Sequence, residues 1–269
     1  MAFYDTIVVG AGCWSAGMAL AGRKSLLIID RGANVGAEYF DSYRETSDWR
    51  CRLDSAPVRE LYRALDDRGA IRGGSRSDCY ALAPFLYRAL IPHHAAFRLW
   101  TEIESITPCP EGMELRLFDA DGHDTVRCRT LIDTTSDCFT KPEFGRENIV
   151  GRRIAAVAIT PDAVELVKSW QPIGGSVRMG RADNELVLTV TIAPQDGWTE
   201  ARRKLLAVWQ QRPEVFFRGS RIAAIGKYRQ FDVREDDAVL GEHHFYFNSS
   251  RFRNPLAALD AGAATAKEI

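Results

Sequence analysis

Residues 4–30, YDTIVVGAGCWSAGMALAGRKSLLIID, constrain what this chain can fold into more than any other stretch. Thr6–Ile7–Val8–Val9 is a short apolar run, mostly β-branched, the composition of a strand buried on both faces. Gly10 and Gly12 follow at once, then a small-residue helix over Ser15–Ala21, then a second apolar run over Ser25–Ile29 that ends on Asp30. Strand, glycine turn, helix, strand and acid in that order are the signature of a dinucleotide-binding βαβ unit. Gly10 permits the sharp turn off the strand, and Gly12 removes a Cβ where a diphosphate approaches the backbone. Amides of the turn and first helical turn (Ala11, Cys13, Trp14, Ser15) are expected to be free to bind the diphosphate, aided by the helix dipole. Asp30, with Arg31 beside it, stands about 20 residues past the first glycine, where a carboxylate accepts from a ribose hydroxyl and repels a 2′-phosphate. The third glycine position of the signature holds Ser15 instead.

Composition narrows the classes. The chain has 269 residues, 46% of them apolar, enough for a sizeable core in one or two domains. A formal net charge of −1 gives no reason to expect nucleic acid or an anionic membrane as partner. No apolar run approaches the roughly 20 residues of a membrane span. The apolar start has Asp5 inside it and lacks a basic leader, so it reads as strand and helix rather than as a signal peptide. Six scattered cysteines, with no CxxC pair and no zinc-type His/Cys spacing, predict reduced thiols in a cytoplasmic protein and no metal.

Residues 31–57 read as a long loop, in which Arg31, Tyr39, Tyr43, Arg44 and Trp49 either cover a bound cofactor or anchor a solvated segment. Residues 57–68 and 80–91 have helical spacing, with Pro57 suited to a helix start, Pro84 a kink or an early position, and Gly73–Gly74 a break between them. His93 and His94 read as surface polar residues rather than metal ligands. A strand is expected over 96–103, a ribbon over 104–129 with its turn at Asp119–Gly122, and a returning strand over Thr130–Asp133. Gly151–Ile159 opens a separate sheet, residues 175–194 form a hairpin, and Thr199–Gln211 is an amphipathic helix. Near the end, Asn254 is a favoured N-cap and Pro255 a favoured first helical residue.

The chain resembles the FAD-dependent oxidoreductases with two dinucleotide-binding domains, in particular those related to the succinate dehydrogenase and fumarate reductase flavoproteins, as a shortened member. The residues carrying the resemblance are the 4–30 unit, Asp133–Thr134–Thr135–Ser136–Asp137 in place of a D-A-T-G-D-like strand end, Thr199–Glu200–Ala201, and Arg221–Ile222 through Gly226–Lys227–Tyr228. The resemblance implies an α/β fold: a Rossmann-like FAD-binding domain with a parallel sheet of the glutathione-reductase type, and a small β-rich substrate or cap domain. The FAD domain would comprise residues 1–149 and 218–269, and the reduced cap 150–217. Thr134, Thr135 and Ser136 would then approach the cofactor, and the helix start at Asn254, Pro255 and Leu256 would point amides at the flavin.

The implied activity is passage of a hydride from a small organic substrate to flavin N5. His243, His244 and Tyr228 are the candidate bases, and Arg44 is a candidate anion clamp. Cys13 lies where a helix N-terminus lowers a thiol pKa, although a small packed residue fits the same position. Two other readings stay open: a non-catalytic or hetero-oligomeric flavin- or nucleotide-binding subunit, and an NAD-dependent dehydrogenase; a homo- or hetero-oligomer is compatible with each.

Overall fold

The computed structural model describes residues 2–71, 79–93 and 95–267; Gly73, Gly74 and His94 lie outside them. β1 (Ala2–Val9), α1 (Cys13–Leu20) and β2 (Leu26–Ile29) form the opening βαβ unit, with Thr6–Val9 parallel and in register with Leu26–Ile29. Gly10 turns the chain between them at φ +101°, a conformation that favours glycine. The run after Asp30 is not wholly a loop. It contains α2 (Ala37–Phe40), one helical turn, before α3 (Ala56–Asp66) and α4 (Cys79–Leu90), which carries Pro84 in its interior.

The strand expected over 96–103 is two strands. β3 (Ala96–Arg98) pairs in parallel with β2, and β4 (Glu102–Cys109) starts afresh after Trp100, whose φ is +56°. The break follows from two hydrogen bonds, Trp100 N–H to Gly32 O and Thr101 N–H to Asp30 O, which fold this corner over the end of β2. β5 (Gly112–Asp119) pairs with β4, and β6 runs unbroken from Gly122 to Asp133, joining the expected ribbon to the expected return strand.

β6 explains how one sheet combines two patterns. Its first half pairs antiparallel with β5, and its last residues, Leu131–Asp133, pair in parallel with β13 (His244–Phe247), while β1 lies along its other side. The order β12-β13-β6-β1-β2-β3 therefore contains five parallel strands, with β12 (Asp237–Gly241) antiparallel at one edge. Side chains alternate across the parallel strands. Ile7, Val9, Leu27 and Ile29 pack with Leu115, Leu117 and Leu131 of the ribbon layer, and Val8, Leu26 and Ile28 pack under the helices. Both faces are thus buried, as the unbroken apolar runs require. Each such side chain contributes about 1.5–3 kcal/mol relative to exposure.

α1 crosses α8 (Pro255–Thr265) at backbone contact. A Cβ on Gly17 would lie 2.0 Å from Leu259 O, and one on Gly262 would lie 1.8 Å from Trp14 O, so only glycine fits at either point. This crossing fixes the glycine turn against the chain's last helix.

After α5 (Pro142–Asn148), a second, wholly antiparallel sheet begins with β7 (Ile149–Ile159), β8 (Gly175–Met179) and β9 (Glu185–Ile192). α6 (Ala163–Ser169), which the sequence reading did not anticipate, and α7 (Trp198–Gln210) cover one face through Leu166, Trp170, Leu205 and Trp209. β10 (Arg221–Ile225) and β11 (Gln230–Val233) both pair with β7. The second sheet therefore includes strands as far as Val233; β10 and β11 join it only through β7, some 70 residues earlier along the chain.

Candidate functional site

A cavity of about 420 Å³ opens at the carboxyl ends of β1, β2 and β6, where the first sheet meets the second. Three separated segments line it: the glycine turn Gly10–Ala11–Gly12, the β2 end Asp30–Arg31–Gly32, and the β6 end Thr134–Thr135–Ser136–Asp137. Clefts outside the carboxyl ends of parallel strands are the usual ligand sites of such sheets, and this volume lies within the range of small-molecule pockets. Tyr228, an expected base, is also on the wall with its hydroxyl facing Gly32. Burial, with Asp30 and Asp41 nearby, pushes its pKa up to about 12.

Asp30 is held firmly. Its Oδ2 accepts from Ala11 N–H at 2.6 Å and its Oδ1 accepts from Gly32 N–H at 2.6 Å. A carboxylate has about four lone-pair directions, so capacity for a ribose hydroxyl remains. Opposite it, Asp133 is buried at the β6 end and organises the Thr134–Ser136 turn. It accepts from Thr135 N–H, Thr135 Oγ1–H and Thr140 N–H at 2.8, 2.6 and 2.7 Å. Burial raises its pKa to about 6 despite those bonds, which pull the other way. Thr134 Oγ1 closes the turn on the Val9 and Gly10 carbonyls at 3.0 and 2.9 Å. Arg31 stacks over Phe139 at 4.1 Å on the rim.

The first turn of α1 departs from expectation. Its amides are not free: Cys13 N–H donates to Glu38 Oε1 at 2.7 Å, and Trp14 N–H donates to Ser249 Oγ at 3.1 Å. Ser249 Oγ–H in turn donates to the same Glu38 oxygen at 2.7 Å. A helix N-terminus in a buried setting needs acceptors, and here the protein supplies a carboxylate of its own. A Cβ on Gly12 would meet Ser249 Oγ at 2.5 Å and Glu38 Oε1 at 2.9 Å, so the space that glycine keeps open is filled by those two side chains. Sequence reasoning passed over both. Glu38 is an unremarked acid in a short helix, and Ser249 lies far along the chain, so no local pattern marks either.

Other expected residues sit elsewhere. Cys13, Trp14 and Ser15 are fully buried beneath the turn, with Ser15 Oγ–H bonded to the Gly10 and Gly12 carbonyls, both at 2.8 Å. Burial, then the Glu38 charge, raises the Cys13 pKa well above the usual thiol value, the reverse of a reactive thiolate. Asn254 caps α8 by accepting from Ala257 N–H at 2.9 Å, and Leu256 is buried, so this helix start does not open into the cavity. Asn254 borders a separate open hollow of about 370 Å³, lined also by Asp48, Cys51 and Asp236. His244 is a buried strand residue bonded to Thr140 Oγ1 at 2.7 Å, and burial lowers its pKa to about 4. His243 lies in the turn before it, and Arg44 borders a different hollow. Among the described residues, no cluster of three His, Cys, Asp or Glu side chains is placed to hold a metal, and no helix is long and apolar enough to cross a membrane.

No family model and no curated protein sequence matches the chain. Solved structures do match in fold. p-Nitrophenol 4-monooxygenase from Pseudomonas putida aligns over 99% of this chain and 78% of its own, with 12% identity and a TM-score of 0.60. Anhydrotetracycline hydroxylase from Streptomyces rimosus aligns over 98% of this chain and 60% of its own, with 12% identity and a TM-score of 0.64. Aklavinone-11 hydroxylase, solved with FAD and aklavinone, aligns over 98% of this chain and 62% of its own, with 16% identity and a TM-score of 0.56. This chain has the fold of flavin-dependent hydroxylases. Against the last two it spans only about three fifths of their length, and the identities establish shared architecture alone.

The residues present fit an adenosine diphosphate group in part. The glycine turn, Asp30 and the Thr134–Ser136 turn surround one cavity as its ribose and phosphate ends require. The Cys13 amide at the head of α1 is already taken by the Glu38 carboxylate.

Proposed function

We propose that this chain is an FAD-dependent oxidoreductase acting on a small organic substrate, with the first sheet holding the cofactor and the second sheet capping the substrate. The observation that carries this reading is the convergence of Gly10–Gly12, Asp30 and Thr134–Ser136 on one cavity within a flavin-hydroxylase fold. Asp30 would bind the ribose, the amides of Ala11, Cys13 and Trp14 the diphosphate, and Tyr228 and Arg31 would screen the site from water. When bound, FAD would supply the redox chemistry of a hydride transfer, and these residues would hold and shield it. The kinship to succinate dehydrogenase-type flavoproteins rests on the sequence segments alone, since the similar structures named above are a monooxygenase and two hydroxylases.

A second reading is favoured by a specific observation. Glu38 and Ser249 already satisfy the α1 amides, as a non-catalytic subunit that kept the fold and lost the ligand would require. The absorbance spectrum of the purified protein, before and after incubation with FAD, tests the proposal. Flavin bands that co-elute with the protein, and that bleach on anaerobic addition of a reducing substrate, are expected of the enzyme. Bound but unbleached flavin supports the passive subunit, and a colourless protein stabilised by NAD supports a dehydrogenase.

A further inference from the structure

Glu38 joins the wall of the 420 Å³ cavity to the head of α1. Its Oε1 accepts from Cys13 N–H and from Ser249 Oγ–H, both at 2.7 Å. The same oxygen lies 2.9 Å from where a Cβ on Gly12 would stand, on the side from which a diphosphate approaches the turn. A diphosphate bound there and this carboxylate would compete for one place. Both are anions, and both accept from the same amide.

The surroundings make that competition one of charge. Among the described residues the cavity lining carries four acids, Asp30, Glu38, Glu102 and Asp137, against three cations, Arg31, Lys227 and Arg229. Burial is the leading influence on Glu38 and raises its pKa; the Asp30 charge adds to the rise, and the bonds from Cys13 and Ser249 work the other way. The other titratable groups that bear on Glu38 are Cys13 on α1, Tyr39 on α2, Arg44 beyond it and Tyr228 between β10 and β11. Tyr87 of α4 is engaged by Val35 N–H at 3.1 Å. Arg44 is the one cation of this group and is shared, since it borders a second, smaller hollow of about 30 Å³ and has Arg153 and Asp232 beside it too. An incoming diphosphate would therefore meet two carboxylates at the glycine turn, Asp30 and Glu38, before any cation that belongs to the turn itself.

We propose that Glu38 makes this site proton-coupled: a nucleotide diphosphate is admitted together with a proton from solvent that neutralises Glu38. A charged Glu38 repels the diphosphate and holds the Cys13 amide through a charge-assisted bond, whereas a neutral one does neither as strongly. A neutral carboxyl also gains an O–H that can donate to a phosphate oxygen. Because binding takes up a proton, affinity rises as pH falls, by up to about tenfold per pH unit while Glu38 is charged in the free protein and neutral in the bound one. Adenosine, which has no diphosphate, binds without that dependence. The inference rests on the nucleotide reading of the cavity given above and adds a regulation to it.

The test uses the purified full chain and two probes: adenosine, and ADP-ribose, whose internal diphosphate keeps its charge throughout the range used. Calorimetric titrations in two buffers of different ionisation enthalpy, repeated from about pH 5.5 to 8, count the protons taken up on binding. Uptake approaching one proton is expected for ADP-ribose, and none for adenosine. Glu38→Gln keeps the side-chain length and an acceptor for Cys13 N–H. It is expected to bind ADP-ribose without proton uptake, and about tenfold tighter than the wild type at the upper end of that range. The wild-type proton count stands by itself if this variant does not fold. ADP-ribose bound by the wild type without uptake, equal uptake in Glu38→Gln, or equal uptake with adenosine overturns the proposal, and so does failure of ADP-ribose to bind at every pH. ADP-ribose bound with proton uptake by a protein that never retains FAD overturns only the flavin reading; FAD retained without proton uptake overturns only this one.

Discussion

The two hollows on either side of residues 38–44 meet positive charge with different partners. At the glycine turn, positive potential from the α1 amides is met inside the protein by Glu38 and Ser249. At the smaller hollow, Arg178 donates to the Tyr43 and Met179 carbonyls, with the Glu45 and Glu185 carboxylates nearby. A partial charge at a helix end is satisfied by one acceptor, so the first site is stable as it stands. A half-buried guanidinium instead shares its charge among carbonyl oxygens, nearby acids and solvent. The difference teaches that a familiar ligand cradle can be filled by the protein's own side chains from distant parts of the chain.

Substitutions can break that contrast. The largest effect is expected from Gly12→Val, whose branched side chain collides with Ser249 and Glu38. Overpacking should lower the unfolding free energy by about 3 kcal/mol in urea titration and abolish nucleotide binding. If stability is unchanged, Glu38 and Ser249 do not fill the seat. Glu38→Ala should cost about 2 kcal/mol, because it leaves the Cys13 amide without its acceptor. Titration calorimetry with ADP should at the same time show tighter binding, since the competing carboxylate is gone; weaker binding would make Glu38 a partner of the ligand and not a rival.

A third acid sharpens the comparison through pH. Asp133, raised to about 6, takes up a proton in the folded state before the unfolded state does, so on its own it stabilises the fold as pH falls from 6 toward 4. His244, lowered to about 4, stays neutral in the fold while the unfolded chain protonates near 6.5, so it destabilises the fold over the same window. Thr140 touches both, donating its N–H to Asp133 and bonding His244 Nε2 through Oγ1 at 2.7 Å. His244→Gln keeps a polar partner for Thr140 and removes the opposing titration. Relative to the wild type it should gain about 1–2 kcal/mol between pH 7 and pH 4, measured by urea unfolding at each pH. The smallest effect is expected from Asp30→Ala, about 1 kcal/mol in affinity for an adenosine ligand, as one ribose hydrogen bond is lost. An undiminished affinity would mean that Asp30 serves only Ala11 and Gly32.

Much of the fold was legible. Thr6–Val9 and Leu26–Ile29 declared buried strands by nearly unbroken apolar composition, and Asn254–Pro255 declared a capped helix, because each signal lies in contiguous residues. The break at Trp100 was not legible, since an acceptor at Gly32 imposes it from another segment. Nor was the membership of β10 and β11 in the second sheet, which depends on which strand they pair with.

The candidate site divides along the same line. Sequence by itself determined the glycine turn, the acid at the end of β2 and the small-residue stripe of α1, because spacing along one βαβ unit fixes where those groups emerge. Only the tertiary structure decided what faces them. Glu38 reaches Cys13 across 25 residues and Ser249 reaches Trp14 across 235, and Arg178 reaches the Tyr43 carbonyl only because the second sheet packs on the first. Local pattern sets which way a side chain leaves its own strand or helix; the partner it meets there is set by the packing of layers from distant parts of the chain.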